Sequence, residues 1–411
     1  MNYRVAVTGL GMITPLGIGV RAFWEGVRSR RVAVGPITRF DASEYPSRIA
    51  AEIDDFDAAA FLSRRRLQWT DRFSQLAVSA ARLAAQDANF GFDGARADIG
   101  VYTGSALGGV ALAEEQMGVF HTTGLRAVRP LLTISVFGGA AASNIAIEFG
   151  ITGPATANAN SCAAGAMAIG EAFHAVRRGE VRAAFAGGIE APLAPLTYGA
   201  FNVARAMSTR NDEPHRASRP FDAQRDGFVM AEGAGMLLLE RYEDAVRRDA
   251  QIYGEIVGYG ASNDAFHMSA PLEDGEQTAR AMQRALDDGR VDADEVEAIN
   301  AHGSSTKIGD AAEVRAYAHV FGERLSSIPV CATKGQHGHA LGATGAWEVA
   351  VALLGMRDEV IPGAVNLEYA DGACAIDCGN EERAITSRVV LSNSSGFGGI
   401  NAAVVLRRAD S

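Results

Sequence analysis

The sequence predicts an α/β protein built from two similar halves. Its 411 residues are 48% hydrophobic and 21% charged, a balance that allows a large buried core. Two helical runs, DRFSQLAVSAARLAAQDA and GEQTARAMQRALDD, place apolar residues three and four apart. Short apolar or β-branched runs alternate with such helical stretches and predict a sheet covered on both faces. These strand candidates are RVAVTGLG, ADIGVYTG, RAAFAGGIE, AGMLLLER, GEIVGYG, EAINAHG, IPVCATKG and RVVLSNSSG.

An internal duplication is the second prediction about the fold. The first strand and turn, YRVAVTGLG, is echoed near residue 252 by IYGEIVGYG. Each half also contains a helix rich in small residues that follows a strand, ANANSCAAGAMAIGEAF in the first and CATKGQHGHALGATGAWEVAVAL in the second. Two similar halves would set these helices face to face. The charged stretch RYEDAVRRDA marks a packed boundary near residue 250, which gives halves of 1–250 and 251–411.

Charge and hydropathy exclude several classes of partner. The formal net charge is −11, whereas binding to nucleic acid or to an anionic membrane requires a basic field. The first residues, MNYRVAVTGLGMITPLG, contain an apolar run that Gly and Pro interrupt too early for a signal or membrane helix. We therefore expect a cytoplasmic protein that binds neither nucleic acid nor membrane.

The four cysteines, at 162, 331, 374 and 378, are too few and too scattered for a disulfide framework. Cys374 and Cys378 are not accompanied by a CxxC pair, and their surroundings, GACAIDCG, are typical of a strand and turn. We therefore predict no metal site.

Cys162 is a candidate nucleophile. It lies in NANSCAAGAMAIG, where a polar run gives way to small residues of good helix propensity. A helix amino terminus at this point would favour a thiolate, and the small neighbours leave room for a substrate. The alternative is a buried, inert cysteine, because free cysteines are commonly buried.

Two histidines lie in settings unusual for core residues. His302 follows an apolar strand within the Gly/Ser/Thr-rich turn AHGSSTKIGD, at the end of a sheet where ligands collect in α/β folds. His339 lies in ATKGQHGHALGATGA, shortly after Lys334. His337, two residues before His339, points elsewhere on a helix. Each histidine could instead only cap backbone groups.

The glycine-rich segments GSALGGV and SSGFGGIN do not predict a nucleotide site. No GxxxxGK[ST] is present, and no GxGxxG follows the first strand. The absence of GxSxG likewise argues against a serine hydrolase. These glycines indicate places where the backbone turns tightly or approaches a ligand.

With Cys162, His302, Lys334, His339 and the terminal SNSSGFGGIN, the whole chain resembles the bacterial elongating β-ketoacyl-[acyl carrier protein] synthases of type II systems. SRPFDAQRDGFVMAEGAG, ARAMSTRNDEPHRASRP and SNDAFHMSAP extend the resemblance. It implies the thiolase fold, two related βα halves in a five-layered α-β-α-β-α arrangement, usually as a dimer. It also implies a decarboxylative condensation between an acyl-enzyme on Cys162 and a malonyl thioester.

The resemblance implies roles for further residues. The backbone N–H groups of Cys162 and Phe397 match the oxyanion hole, Phe397 also acts as a gate, and His302 and His339 stabilise the malonyl-derived enolate. Lys334 has an organising role in an ion pair with Glu313 or Glu348, with Asp310 as a further supporting residue; a purely structural pair is the alternative. Ser304 and Thr306 match positions that bind the phosphopantetheine arm of the carrier. No permanently bound cofactor is implied.

Acyl carrier protein, the implied partner, is acidic, so an acidic enzyme needs local basic residues. The candidates are Arg64, Arg65, Arg126, Arg129 and Arg205. Each alone could equally be a solvated surface charge.

The chain departs from the fatty-acid synthases at three positions. His337 replaces Thr or Ile, Ser395 replaces a Phe, and Ala113 is assigned to the acyl-pocket constriction in place of a bulkier residue. These changes keep open the alternative of a specialised polyketide or polyene synthase, as a homodimer or beside a chain-length-factor partner. A thiolase acting without decarboxylation and a non-catalytic chain-length subunit are further alternatives, although the latter would lack Cys162.

Overall fold

The computed structural model describes residues 2–92 and 96–409. The main sheet has twelve strands in the described residues, and the ten that are longer than two residues come five from each half of the chain. They are β1 (Val5–Thr14), β2 (Ile99–Gly104), β3 (Ala155–Asn158), β4 (Ala183–Glu190), β5 (Gly233–Arg241), β6 (Gly254–Asn263), β7 (Ala298–Asn300), β8 (Pro329–Cys331), β9 (Val389–Gly396) and β10 (Ile400–Arg407). Two-residue strands lie at Gly17–Ile18, Gly35–Pro36, Ile49–Ala50, Val360–Ile361, Asp377–Cys378 and Arg383–Ala384.

The α-helices of the described ranges cover the sheets and fill the space between them. They are α1 (Val20–Arg28), α2 (Arg64–Leu67), α3 (Arg72–Asp87), α4 (Val110–Thr123), α5 (Leu132–Ser135), α6 (Ala140–Phe149), α7 (Ala164–Arg177), α8 (Pro195–Val203), α9 (Tyr242–Arg247), α10 (Glu276–Gly289), α11 (Lys307–Phe321), α12 (Lys334–His337) and α13 (Thr344–Asp358). The two periodic runs of the sequence correspond to α3 and α10. No helix within the described residues is long and apolar enough to cross a membrane.

The two halves have the same strand topology. The spatial order is β3-β2-β4-β5-β1 in the first half and β8-β7-β9-β10-β6 in the second. Counted from its own first strand, each half reads 3-2-4-5-1, with the fifth strand antiparallel to both of its neighbours. Strands β1 and β6 join the halves through three antiparallel residue pairs, Val5–Val7 against Gly254–Ile256. The topology confirms the predicted duplication.

The layers follow the order α-β-α-β-α. Helices α3 and α6 cover the outer face of the five strands of the first half. Helix α10 covers the outer face of the five strands of the second half, and α11 packs against α10. Helices α7 and α13 lie between the sheets and contact strands of both. Residues Thr344–Met356 of α13 are all buried, as expected for a helix enclosed on every side. The two central helices meet so closely at their starts that a Cβ on Gly165 would lie 2.5 Å from the Gly342 carbonyl oxygen. Only glycine permits this approach.

We propose that the halves divide near residue 250. The last strand of the first unit ends at Arg241, α9 follows it, and the first strand of the second unit begins at Gly254. Both units contribute to one continuous core, which includes Leu237 and Leu239 from the first and Trp347 and Leu353 from the second. The boundary therefore lies between two structural units that pack together, and it is not a flexible linker.

Candidate active site

A cavity of about 580 Å³ lies where the two halves meet. It opens beside the starts of the central helices, at the carboxyl ends of several strands. Of the residues predicted from sequence, it brings together Cys162, His302, His339, Ser304, Thr306, Ser395 and Phe397, with Arg205 and Glu313 also in its wall. The thiol thus comes from the first half and both imidazoles from the second.

Cys162 lies in a single 3₁₀ turn, Ser161–Ala163, that leads into α7. Ser161 has a φ of 51°, so the chain reverses sharply and presents the cysteine to the cavity. The hairpin between β9 and β10 passes directly beside it: a Cβ on Gly396 would lie 2.9 Å from the Cys162 nitrogen. The backbone N–H groups of Phe397 and of Cys162 itself both interact with the sulfur. Two amide donors therefore converge at the nucleophile.

Burial raises the pKa of the Cys162 thiol to about 12, although the Lys334 charge and the two backbone N–H groups lower it. The resting form is accordingly the thiol, which differs from the thiolate expected at a helix amino terminus. The physical reason is that desolvation of the charged form outweighs the helix dipole, and the buried Glu190 carboxylate opposes ionisation further.

His302 is held by the loop that follows β7. The Glu313 carboxylate, on α11, accepts hydrogen bonds from the backbone N–H groups of His302 at 2.6 Å and Gly303 at 2.8 Å. Tyr317 and Asn393 donate to the same carboxylate at 2.7 and 2.8 Å. Glu313 therefore fixes the backbone of the histidine rather than pairing with a cation.

Lys334 lies beneath His302 and is 1% exposed. Its ammonium donates to the His302 carbonyl oxygen and forms an ion pair with Glu348, which is also buried. It lies 3.4 Å from Nδ1 of His302. Of the two acidic partners considered from sequence, Glu348 is the one in contact. Burial raises the pKa of Glu348, and the Lys334 charge opposes this rise.

His339 stands edge-on to His302, with 5.3 Å between ring centroids. Its Nδ1 is 3.1 Å from the Thr344 hydroxyl. Burial and the Lys334 charge lower the pKa of both histidines well below 6.5, so both rings are neutral. If Lys334 and Thr344 donate to the two Nδ1 atoms, each ring retains its proton on Nε2. The cavity then contains two neutral N–H donors side by side.

His337 is fully buried, outside the set of described residues that line the cavity. Its Nε2 is 2.9 Å from the Thr333 hydroxyl and its Nδ1 is 2.7 Å from the Gly338 carbonyl oxygen. The ring stands edge-on to Trp347 at 5.1 Å. Burial and Lys334 lower the pKa of His337 to about 3. Both nitrogens are occupied, so His337 is a neutral packing residue.

Phe397 forms the tip of the three-residue connection between β9 and β10. Gly398 and Gly399 follow it with φ of 83° and 68°, values that favour glycine and allow the tight turn. The Phe397 ring stacks on Phe201 at 6.0 Å, and Phe201 meets Phe228 edge-on at 5.8 Å. Phe228 in turn contacts His339 at 5.4 Å. A row of rings thus connects the hairpin tip with the histidines.

Ser304 and Thr306 lie at the start of α11, and their hydroxyls are 2.9 Å apart. Thr306 caps the helix by accepting from the Gly309 N–H at 3.2 Å. Asp310 supports this loop, since its carboxylate accepts from the Ser305 N–H at 3.0 Å and from the Ser304 hydroxyl at 3.3 Å. Burial raises the pKa of Asp310 to about 7.

Ser395 and Ala113 have different positions relative to the cavity. Ser395 lies in its wall and donates to the Asn401 side chain at 2.9 Å. The structure does not bring Ala113, on α4, to the cavity. Leu107, in the loop after β2, instead packs in the same apolar cluster as Cys162 and Phe201.

The five candidate arginines are all exposed, and none forms an ion pair with another described residue. Arg205, at the end of α8, lies at the cavity mouth together with Lys307. Arg64 and Arg65 lie on α2, whereas Arg126 and Arg129 follow α4. The described residues that line the cavity do not include Arg64, Arg65, Arg126 or Arg129.

Sequence reasoning missed several residues of this site. Leu107, Phe201 and Phe228 are ordinary apolar residues, and only their neighbours in space place them near Cys162. Thr344 follows the Gly-His segment, where the small-residue run LGATG was a usable signal. Glu190 is the last residue of a buried strand. Because carboxylates are rarely buried, its position in the sequence was a usable signal.

Both the sequence and the fold of the chain match those of known proteins. The family model described as the N-terminal domain of beta-ketoacyl synthase matches residues 2–245, and that of the C-terminal domain matches residues 253–368. The chain is 42% identical to 3-oxoacyl-[acyl-carrier-protein] synthase 2 of Synechocystis and 40% identical to the protein of that name from Coxiella burnetii. Each match covers 98% of both chains.

Solved structures give the same fold. A ketosynthase/chain length factor described as that of ishigamide superposes with a TM-score of 0.93 at 33% identity, over 100% of both chains. A type II polyketide ketosynthase in complex with its acyl-carrier protein, bound to the hexaketide, gives 0.92 at 33% identity, also over 100% of both. A beta-ketoacyl synthase from Burkholderia phymatum gives 0.91 at 36%, over 99% of this chain and 100% of the other. The predicted thiolase fold is confirmed.

Proposed function

This chain belongs to the β-ketoacyl synthase family of acyl-transferring condensing enzymes, and we propose that it elongates acyl chains on acyl carrier protein by decarboxylative condensation with malonyl-carrier protein. One observation carries the proposal: a thiol beneath two backbone N–H donors shares a cavity with two neutral histidines. A thiol with two N–H donors suits acyl transfer, and two neutral histidines suit stabilisation of an enolate.

In the first half-reaction, Cys162 attacks the acyl thioester while the N–H groups of Cys162 and Phe397 stabilise the tetrahedral oxyanion. The Cys162 proton leaves with the phosphopantetheine thiol of the carrier. Because the resting thiol has a raised pKa and both imidazoles already carry a proton on Nε2, the thiol proton passes to the departing sulfur as the new thioester bond forms. The product of this step is the acyl-enzyme.

In the second half-reaction, His302 and His339 donate from Nε2 to the malonyl thioester oxygen. The C–C bond to the carboxylate breaks, carbon dioxide leaves, and the enolate attacks the acyl-enzyme carbonyl carbon. Cys162 departs as a thiolate and takes up from solvent the one proton that the condensation consumes, which leaves a β-ketoacyl chain two carbons longer on the carrier. Each donor in such a dry site is worth about 3 kcal/mol. Lys334 positions His302, and movement of Phe397 away from Phe201 opens the malonyl site.

The substrates reach the cavity on the phosphopantetheine arm of the carrier, and Ser304 and Thr306 bind that arm by their hydroxyls at the mouth. No permanently bound cofactor takes part. Arg205 and Lys307 provide the positive charge that an acidic carrier requires. The four cysteines are free thiols, which fits a reaction in the reducing cytoplasm.

Charge reversal tests the docking of the carrier. Arg205→Glu should weaken the apparent affinity for acyl-carrier protein at least about tenfold, with a dependence on salt. Arg388→Glu is the matched control, because Arg388 is exposed and precedes the far end of β9, about 25 Å of strand from the cavity. Equal affinities of the two variants would refute the assigned docking site.

Intact mass tests the reaction itself. Incubation with acyl-carrier protein should add one acyl group to the wild type and none to Cys162→Ala. Malonyl-carrier protein should then discharge the adduct and release carbon dioxide. A wild-type protein that gains no adduct with any chain length would contradict the proposal and indicate a non-catalytic subunit. Discharge without decarboxylation would indicate a thiolase.

A specialised polyketide or polyene synthase is the second candidate. Ser395 in the cavity wall, where the fatty-acid enzymes have a Phe, favours it. The type II polyketide ketosynthase and the ketosynthase/chain length factor among the similar folds favour it as well. Competition between saturated and polyenoyl carrier thioesters of equal length decides between the two. Preference for the polyenoyl chain supports the specialised enzyme, and equal turnover supports the fatty-acid enzyme.

A second subunit of the same fold is the proposed partner within the enzyme. Strand β3 is one of the two edges of the sheet in the described residues, and Ala155–Ala157 are exposed there. Large apolar side chains between α4 and α6 are also exposed, among them Phe120, Ile134 and Phe137. Sedimentation equilibrium should give twice the 43.1 kDa chain mass, and Phe137→Asp should lower it. A monomeric wild type would instead require a different chain as partner.

A further inference from the structure

A buried carboxylate outside the proposed chemistry lies close to Cys162. Glu190, the last residue of β4, is 0% exposed. Its oxygens accept from the backbone N–H groups of Ala106 at 2.7 Å and Leu107 at 3.0 Å, and from the Ser105 hydroxyl at 2.9 Å. A fourth donor comes from the other half of the molecule, the N–H of Gly342 at 3.0 Å. Four donors around one carboxylate form an anion-binding hole.

The duplication explains where this hole lies. The turn before α13, Leu341–Ala343, has the same form as the turn before α7, Ser161–Ala163: both are single 3₁₀ turns, and Leu341 and Ser161 have φ of 41° and 51°. Gly342 therefore occupies in the second half the place that Cys162 occupies in the first. In the proposed mechanism the Cys162 N–H donates to a substrate oxyanion, whereas its counterpart at Gly342 binds the Glu190 carboxylate.

The loops after the second strand of each half are held in matching ways. Glu313 accepts from the successive N–H groups of His302 and Gly303 after β7. Glu190 accepts from those of Ala106 and Leu107 after β2. The first carboxylate fixes a histidine of the site, and the second fixes Leu107, which packs in the cluster that contains Cys162.

We propose that Glu190 is a positioning residue whose carboxylate fills the counterpart of the oxyanion hole and so holds the Ser105–Leu107 loop against the acyl cavity. The site is selective for a carboxylate, because its four donors converge on two oxygens and an amide would place an N–H₂ group against one of them. Two charges act on Cys162: Lys334 favours its thiolate and Glu190 opposes it. Loss of Glu190 should therefore alter cysteine reactivity as well as loop position. The effect on acyl transfer rests on the proposed function.

Chemical rescue tests the hole. Glu190→Ala should acylate Cys162 on the order of 100-fold more slowly than the wild type, since small displacements in a cavity wall have effects of that size. Sodium formate should restore the rate and raise the melting temperature with a saturable dependence, and sodium chloride at equal ionic strength should not. Formate should leave the wild type unchanged. A folded Glu190→Ala protein that formate neither stabilises nor reactivates would overturn the proposal.

Cysteine alkylation keeps the test independent of the carrier substrate and of the Ala variant. In Glu190→Gln, the pH profile of Cys162 alkylation by iodoacetamide should move to lower pH. Burial raises the pKa of Glu190 to about 7, so the carboxylate is charged in the alkaline range where the thiol ionises, and the variant lacks this charge. Glu232→Ala is the control, since Glu232 is equally buried but is bound by Arg39 and Arg72, outside the residues of the cavity. The Glu232→Ala protein should be less stable, but its pH profile of Cys162 alkylation should not shift. Identical profiles in Glu190→Gln and wild type would refute the proposal, whereas a wild type that alkylates but is never acylated would refute only the proposed function.

Discussion

Replacement of His337 by Thr should make the protein less sensitive to acid. In the folded protein burial lowers the pKa of His337 to about 3, whereas an unfolded chain titrates near 6.5. Between these values the unfolded state binds the extra proton, so the free energy of unfolding falls as the pH falls through 6.5. Each pH unit below 6.5 costs about 1.4 kcal/mol, and the loss between pH 7 and pH 5 amounts to about 2 kcal/mol from this one residue.

Urea unfolding at pH 7 and pH 5, at one fixed protein concentration, measures this loss. The quantity that matters is the double difference between wild type and His337→Thr, because the variant also loses the ring contact with Trp347 at every pH. His337→Asn serves as the matched control: it differs from Thr in packing but likewise does not titrate. Both variants should lose about 2 kcal/mol less than the wild type between the two pH values. A double difference near zero in both would show that His337 is not held neutral by burial, and the assignment of a packing role would fail.

Three further outcomes are expected. Lys334→Met leaves Glu348 buried without its cation and should lower the free energy of unfolding by about 3–5 kcal/mol in urea titrations, and Lys334→Met/Glu348→Gln should recover most of it; no recovery would contradict the pairing. Gly396→Ala forces the hairpin away from the Cys162 nitrogen and should slow single-turnover acylation at least about 100-fold, whereas Gly372→Ala, with open space around its Cβ, should acylate normally. Alkylation of Cys162 should accelerate about tenfold per pH unit from pH 7 to 9, because its thiol pKa is raised to about 12; a plateau in this range would disprove the protonated resting state.

The sequence was most informative where short motifs contain unusual residues in small-residue surroundings. Cys162, His302 and His339 stand out in this way, and the structure places all three in one cavity. The echo of the first strand at residue 252 likewise predicted the duplication, because strand and turn patterns repeat locally. Local pattern was sufficient in these cases.

Features that depend on contacts between distant segments could not be predicted. Leu107 and Glu190 are 83 residues apart in the chain, and their hydrogen bond exists only because β2 and β4 are neighbours. The protonation state of Cys162 was misjudged for a related reason: the helix dipole is visible in sequence, but desolvation depends on the whole surrounding fold. The pairing of Lys334 with Glu348 rather than Glu313 also required knowledge of which face of each helix is turned inward.

The division of the reactive groups between the two halves has a consequence for the assembly of the protein. A polypeptide that ends near residue 250 would contain the thiol without the imidazoles, and the remaining segment would contain the imidazoles without the thiol. Helix α13, enclosed by both sheets, would expose its apolar sides in the isolated second fragment. Two such fragments, produced as separate chains, would regain thioester chemistry only on association, so the return of activity would serve as a direct readout of fragment complementation.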